Sequence, residues 1–79
     1  MSELQYKGYV IRADPKQLVE NNEWTVELFI EKHRGGSVSN KPFSESNTFQ
    51  SKEEAAERCF NFGKQIIDGQ IKNCSVDDL

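Results

Sequence analysis

The clearest pattern in the chain is the alternation of apolar and polar residues in EWTVELFIEKH, residues 23–33. Successive side chains of a strand point to opposite faces of a sheet, so an alternating segment buries one row of side chains. The pattern therefore predicts a half-buried strand at the centre of a sheet. The buried row would contain Trp24, Val26, Leu28 and Ile30.

Two weaker strand patterns flank this segment. YKGYVIRADP, residues 6–15, alternates up to Pro15 and predicts a first strand, with Gly8 as a bulge or a point of close packing. Gly35 and Gly36 supply the backbone freedom for a hairpin into SVSNKPFSESNTF, residues 37–49. Pro42 cannot donate a ladder hydrogen bond, so this third strand should lie at a sheet edge. Its parity would also turn Glu45 and Asn47 inward.

The segment SKEEAAERCFNFGKQIIDG, residues 51–69, changes to a helical period. Ser51 and Glu54 have the spacing of a capping box, and Gly69 is placed to end the helix with a left-handed backbone. Gly63 lies on the apolar stripe although glycine disfavours helices by about 1 kcal/mol relative to alanine. We therefore expect close approach of the helix to the sheet at Gly63, over the ring of a buried Trp24.

These elements predict an α+β fold, a three-stranded antiparallel meander with one C-terminal α-helix packed on one face. A chain of 79 residues makes a single domain, assigned to residues 6–69. Residues 1–5 and 70–79 are polar and are expected to be flexible.

The composition limits the possible partners. The formal net charge is -3, and the basic residues are scattered along the sequence, which argues against nucleic acid as a partner. The chain shows neither a signal peptide nor an apolar run long enough for a membrane span, so the expected location is cytoplasmic. Cys59 and Cys74 are too few for a disulfide framework and are expected to be reduced thiols.

Candidate chemistry is sparse. His33 has no nucleophile pattern beside it, and Gly35-Gly36 lacks the context of a phosphate-binding loop. Glu53, Glu54 and Glu57 are explained by the helix cap and a solvated helix face. The sequence therefore predicts no catalytic residues, no metal site and no cofactor.

One feature favours a protein partner. Phe29 belongs to the sheet face away from the helix, with Glu27 and Glu31 on either side and Val10 as a possible neighbour. A single helix covers one face of a sheet, so an apolar cluster on the other face would indicate a contact surface. We assign Phe29, Val10, Glu27 and Glu31 as the candidate partner surface.

The order of motifs is also similar to a known pattern. YKGYVIRADP, EWTVELFIEKHRGG and TFQSKEEAAERCFNFGKQIIDG, which together span Tyr6 to Gly69, resemble a group of small bacterial domains of unknown function. This resemblance implies a β-β-β-α fold in an intracellular setting. It implies no catalytic residues.

Three functional hypotheses follow. The leading one is a non-enzymatic interaction or regulatory module that binds a protein partner or forms a weak homo-oligomer through the open sheet face. The alternative is a nucleic-acid-associated regulator, which a positive surface stripe would favour. The third is an enzyme whose site forms only on oligomerisation, which a deep pocket with perturbed carboxylates would favour.

Overall fold

The computed structural model of the protein describes residues 2–77 and 79. Within these residues the chain forms β1 (Ser2–Tyr6), β2 (Tyr9–Ala13), β3 (Trp24–Arg34), β4 (Ser37–Phe49) and α1 (Lys52–Ile67). The strands make one antiparallel sheet in the order β1-β2-β3-β4, and α1 packs mainly against β2 and β3. The predicted α+β class, with a C-terminal helix on one face of a meander, is confirmed.

The predicted number of strands is wrong, because the described residues form four strands rather than three. Lys7 and Gly8 make a two-residue turn, with φ angles of 50° and 86°, and Tyr6 pairs with Tyr9 across it. Hairpin turns of this kind need positive φ at both central residues, which lysine adopts rarely. The sequence of this turn therefore predicts the interior of a strand, with Gly8 as a bulge, rather than a hairpin.

The flexibility predicted for the two ends stays a prediction, although both ends contribute to the fold. Residues 2–5 lie in β1, while Met1 is outside the described residues. At the other end Val76 and Leu79 are buried in the core, and the backbone oxygen of Ser75 accepts a hydrogen bond from Lys41 Nζ at 3.3 Å. Because residues 70–79 are mostly polar, the sequence does not indicate that these two apolar residues pack against the core.

The core lies between the sheet and α1. Val26, Leu28 and Ile30 are fully buried, as the alternation predicts. Trp24 is not, because it begins β3 at the end of the sheet, where it pairs with Phe49 and lies below Lys52. Its half-buried position makes the predicted burial of Trp24 against the helix wrong.

The predicted close approach at Gly63 is confirmed, but its partner is Ile11 rather than Trp24. A Cβ atom added to Gly63 would lie 2.8 Å from Ile11 Cγ2 and 2.9 Å from Ile11 Cδ1. Both residues are buried, so neither can move into solvent. The absence of a side chain at Gly63 therefore sets the distance between helix and sheet.

β4 is an edge strand of the described sheet, as predicted from Pro42. Its register shifts so that Glu45 faces Val26 while Thr48 faces Thr25, leaving Ser46 and Asn47 in a bulge. The inward turn of Glu45 is confirmed, whereas that of Asn47 is wrong, because the bulge interrupts the alternation and leaves Asn47 exposed.

The ends of α1 follow the predicted signals. Ser51 accepts a hydrogen bond from the Glu54 backbone N–H at 3.1 Å, and its hydroxyl meets the Glu54 carboxylate at the same distance. At the other end Gly69 has a φ of 77°. The N–H of Gly69 donates to Ile66 and that of Gln70 donates to Gln65, the two bonds of a Schellman motif.

Cys59 is completely buried at the centre of this core. Its Sγ lies 3.2 Å from the backbone oxygen of Glu27, and burial raises the pKa of the thiol. Cys74 is half-buried in the C-terminal segment, and both cysteines are free.

Candidate functional site

The open sheet face, on the side away from α1, carries the predicted partner surface. Val10 pairs directly with Glu31, and Phe29 lies between Arg12 and Pro42. Strand parity places Glu27 on the same face. Phe29 is 36% exposed, so the structure brings the four predicted residues to one surface with an accessible aromatic ring.

The carboxylates of this face are not free. Glu31 accepts from Arg12 Nε at 2.5 Å, and this hydrogen bond lowers the pKa of Glu31 below its ordinary value. Arg12 Nη1 also lies 2.9 Å from Glu3 Oε2, and the Glu27 carboxylate accepts a hydrogen bond from the Thr25 hydroxyl at 2.7 Å. Phe29 is therefore surrounded by satisfied polar groups rather than by an unpaired acidic rim.

A second surface lies at the end of the molecule where α1 finishes. Tyr6 and Tyr9 are cross-strand neighbours there. The Nζ atoms of Lys7 and Lys64 lie 5.4 Å and 5.7 Å from the Tyr6 ring centroid, and Lys32 Nζ lies 4.5 Å from that of Tyr9. Two tyrosine rings thus hold three ammonium groups close together, at distances typical of cation–π contacts.

The β3–β4 hairpin adds a fourth cation to this end. Arg34 pairs with Ser37 at the last position of the ladder, beside Lys32 and His33, and it is exposed. His33 is also exposed, and its Nε2 lies 3.3 Å from Glu31. We call the group of Lys7, Lys32, Arg34 and Lys64 the cationic end.

Asp68 reduces the positive charge of this surface only in part. Its carboxylate accepts from Lys7 Nζ at 2.6 Å and from the Tyr6 hydroxyl at 2.8 Å, and these bonds lower the pKa of Asp68. Among the described residues, the side chains of Lys32, Arg34 and Lys64 have no carboxylate within ion-pair distance. Three cations therefore remain available to an external anion.

The opposite end of the molecule is acidic. α1 begins there with Glu53, Glu54 and Glu57, close to Asp14 at the end of β2. The net charge of -3 thus hides two ends of opposite sign. Sequence reasoning missed the cationic end because Lys7 and Lys64 are far apart in the chain and only the sheet topology brings them together.

Other kinds of site receive no support from the described part of the chain. It contains no group of three or more His, Cys, Asp or Glu residues placed to hold a metal ion. Nor does any helix in residues 2–77 have the length and apolar character to cross a membrane.

A family comparison changes the relative support for the functional hypotheses. The model of a family described as transcriptional activator HlyU matches residues 1–74. The chain belongs to the HlyU family. The resemblance to domains of unknown function is corrected accordingly, because the HlyU family is described by an activity. No curated protein and no solved structure matches this HlyU-family chain.

Family membership also overturns the expectation that nucleic acid is not a partner. Activation of transcription takes place at DNA, so the alternative hypothesis of a nucleic-acid-associated regulator is better supported than the leading one. Neither the net charge nor the spacing of basic residues along the sequence reveals that these cations are grouped on the folded surface.

Proposed function

We propose that this HlyU-family chain is a non-enzymatic transcriptional activator that works inside the cell and contacts DNA through its cationic end. The observation that carries the proposal is the match of residues 1–74 to a family described as a transcriptional activator. The cationic end supports it by supplying a surface of suitable charge. No cofactor enters the proposal.

The cationic end can contact DNA phosphates. Each lysine or arginine that neutralises a phosphate releases a counterion, so affinity falls as salt rises, with a slope of about -0.9 per contact on a log–log scale. Four cations, one of them shared with Asp68, give a small number of contacts. Binding should accordingly be weak, and its salt dependence modest, with a log–log slope of about -3.

Charge reversal at the two ends of the molecule tests the proposal. The double variant Lys32→Glu/Arg34→Glu removes cations from the cationic end. The matched control Lys16→Glu/Lys52→Glu makes the same change in net charge at the other end, where both side chains are exposed. Binding to a labelled DNA duplex would be followed by fluorescence anisotropy over a range of salt concentrations.

The parent and the control should bind with similar salt slopes, while the cationic-end variant should lose affinity and show a slope smaller by up to about two. Equal losses in the two variants would show that only net charge matters. A parent that fails to bind even at low salt would refute DNA contact by this chain.

A protein contact through the open sheet face is a second candidate function. The observation that favours it is the exposure of Phe29 next to Pro42, within a face that α1 leaves uncovered. We propose Phe29, Val10, Glu27 and Glu31 as the surface for a weak homo-oligomer or a protein partner. An aromatic anchor ringed by satisfied polar groups is typical of such contacts.

A further inference from the structure

A groove runs between the first half of α1 and the end of β2. It has a volume of about 590 Å³, and its apolar lining consists of Ala13, Pro15, Ala56 and Phe60. Ala56 and Phe60 are partly buried against the core, so their outer surfaces form a fixed floor. A groove of this size and lining can accept one or two apolar side chains.

The rim of the groove is acidic. Asp14, Glu53 and Glu57 line it, and Lys52 is its single cation among the described lining residues. Lys52 Nζ lies 5.8 Å from the Trp24 ring centroid. The Asp14 carboxylate oxygen Oδ2 lies 3.8 Å from Lys16 Nζ. Glu53 and Glu57 have no ion-pair partner in the described part of the chain. The rim therefore repels phosphate and attracts cations.

From this charge complementarity we infer that the groove binds a segment of another protein in which an apolar side chain is flanked by lysine or arginine. The apolar side chain would enter above Ala56 and Phe60, and the flanking cations would meet Glu53 and Glu57. A site with these properties provides both a hydrophobic anchor and a polar rim, as protein interfaces do.

This site is separate from the surface proposed for DNA. Glu53 lies in the first turn of α1 and Lys64 in its last turn, so the helical rise separates them by about 17 Å. The chain can then hold a polyanion at one end and a basic protein segment at the other. The inference goes beyond the proposed DNA contact and does not depend on it.

A synthetic peptide in which leucines at helical spacing are separated by lysines is a suitable probe. Titrated into ¹⁵N-labelled protein, it should shift the amides of residues 13–14 and 52–60 and leave those around Phe29 unchanged. A counterpart with glutamates in place of the lysines should produce no shifts. A counterpart with serines in place of the leucines should bind at least about tenfold more weakly, since it lacks the anchor.

Variants of the protein complete the test. Glu53→Lys/Glu57→Lys should weaken peptide binding by about tenfold or more, and Ala56→Arg should do the same by filling the groove. Glu20→Lys/Asp77→Lys is the matched control, because it makes the same change in net charge at exposed positions outside the groove. Amide spectra of each free variant establish that it is folded.

Three outcomes would overturn the inference. The first is an equal loss of affinity in the control, which would indicate attraction to net charge alone. The second is a set of peptide-induced shifts centred elsewhere, for example on the open sheet face. The third is a set of groove shifts that grow with protein concentration in the absence of peptide, which would identify a second copy of the chain as the occupant.

Discussion

Gly63 and Ile11 are in such close contact that a methyl group on Gly63 would lie 2.8 Å from Ile11 Cγ2. Real Cβ atoms do not approach carbon atoms so closely, and Ile11 is completely buried between sheet and helix. The contact therefore fixes how deeply α1 sits on β2. It also explains a glycine in the middle of a helix, where alanine would otherwise be favoured.

We expect Gly63→Ala to destabilise the protein by about 1–3 kcal/mol, because the overlap outweighs the gain in helix propensity. Denaturant unfolding of the parent and the variant would measure the difference. The double variant Gly63→Ala/Ile11→Ala should be more stable than the sum of the two single changes predicts, since alanine at position 11 lacks the three carbon atoms that the added methyl group would meet. A Gly63→Ala protein more stable than the parent would contradict the close contact.

Trp24→Ala should be less damaging than Leu28→Ala. Leu28 is 1% exposed at the centre of the core, and truncating it should cost about 2–5 kcal/mol. Trp24 is half-buried at the end of β3, so its truncation should cost about 1–2 kcal/mol. Midpoints of urea unfolding for the two variants would rank them. If Trp24→Ala were more destabilising than Leu28→Ala, Trp24 would have to belong to the core.

The ion pair between Glu45 and Arg58 should make stability depend on pH. Arg58 Nε and Nη2 donate to the Glu45 carboxylate at 2.8 Å and 2.6 Å, which lowers the pKa of Glu45 below its ordinary 4.5. A carboxyl with a depressed folded-state pKa stabilises the fold above its unfolded-state pKa, and this stabilisation is lost as pH falls through the folded-state value.

Glu45→Gln should accordingly be less stable than the parent by about 1–2 kcal/mol at neutral pH. The difference should shrink as the pH falls below 4.5, because the parent then loses the charge of Glu45 as well. Chemical denaturation at neutral pH and at about pH 3 would show this. Comparing the two proteins removes the acid sensitivity contributed by Glu31 and Asp68. A gap that stays constant with pH would argue against the ion pair.

Ser51→Ala should destabilise the protein by about 1 kcal/mol, because the Glu54 N–H loses its acceptor at the start of α1. Amide exchange provides a local measurement, since protection should fall in the first turn of the helix more than in β3. Ser51→Asp serves as the control, because aspartate caps helices equally well. Unchanged protection in Ser51→Ala would contradict the capping role.

Phe29→Ser should abolish self-association or partner contact through the open sheet face while lowering stability by only about 1–2 kcal/mol. Phe29 is 36% exposed and lies outside the buried core, so its loss leaves the packing of α1 intact. Amide spectra of parent and variant at increasing protein concentration would detect the contact. Concentration-dependent shifts confined to α1 or to residues 70–77 would place the contact elsewhere.

The parts of the fold that could be predicted from sequence are those with a local cause. Alternation in residues 23–33 identifies β3, and Ser51, Glu54 and Gly69 identify the ends of α1. The Lys7–Gly8 turn could not be found in this way, because its conformation is imposed by the pairing of Tyr6 with Tyr9 rather than by the preference of lysine.

The candidate site was harder to predict because it depends on distant contacts. Strand parity is local, so it assigns Val10 and Glu31 to the same open face, but it does not show that they are paired. That Arg12 neutralises Glu31 depends on the register between β2 and β3, which the sequence does not specify. The grouping of Lys7, Lys32 and Lys64 depends in addition on where α1 ends relative to the first hairpin.

The different positions of the two cysteines make the protein its own reporter of opening events. Cys74 is half-buried, so a thiol reagent can modify it in the folded protein, whereas Cys59 becomes accessible only when α1 leaves the sheet. The modification rate of Cys59 would thus time the opening of the core, with Cys74 as the reference thiol in the same sample, without any introduced label.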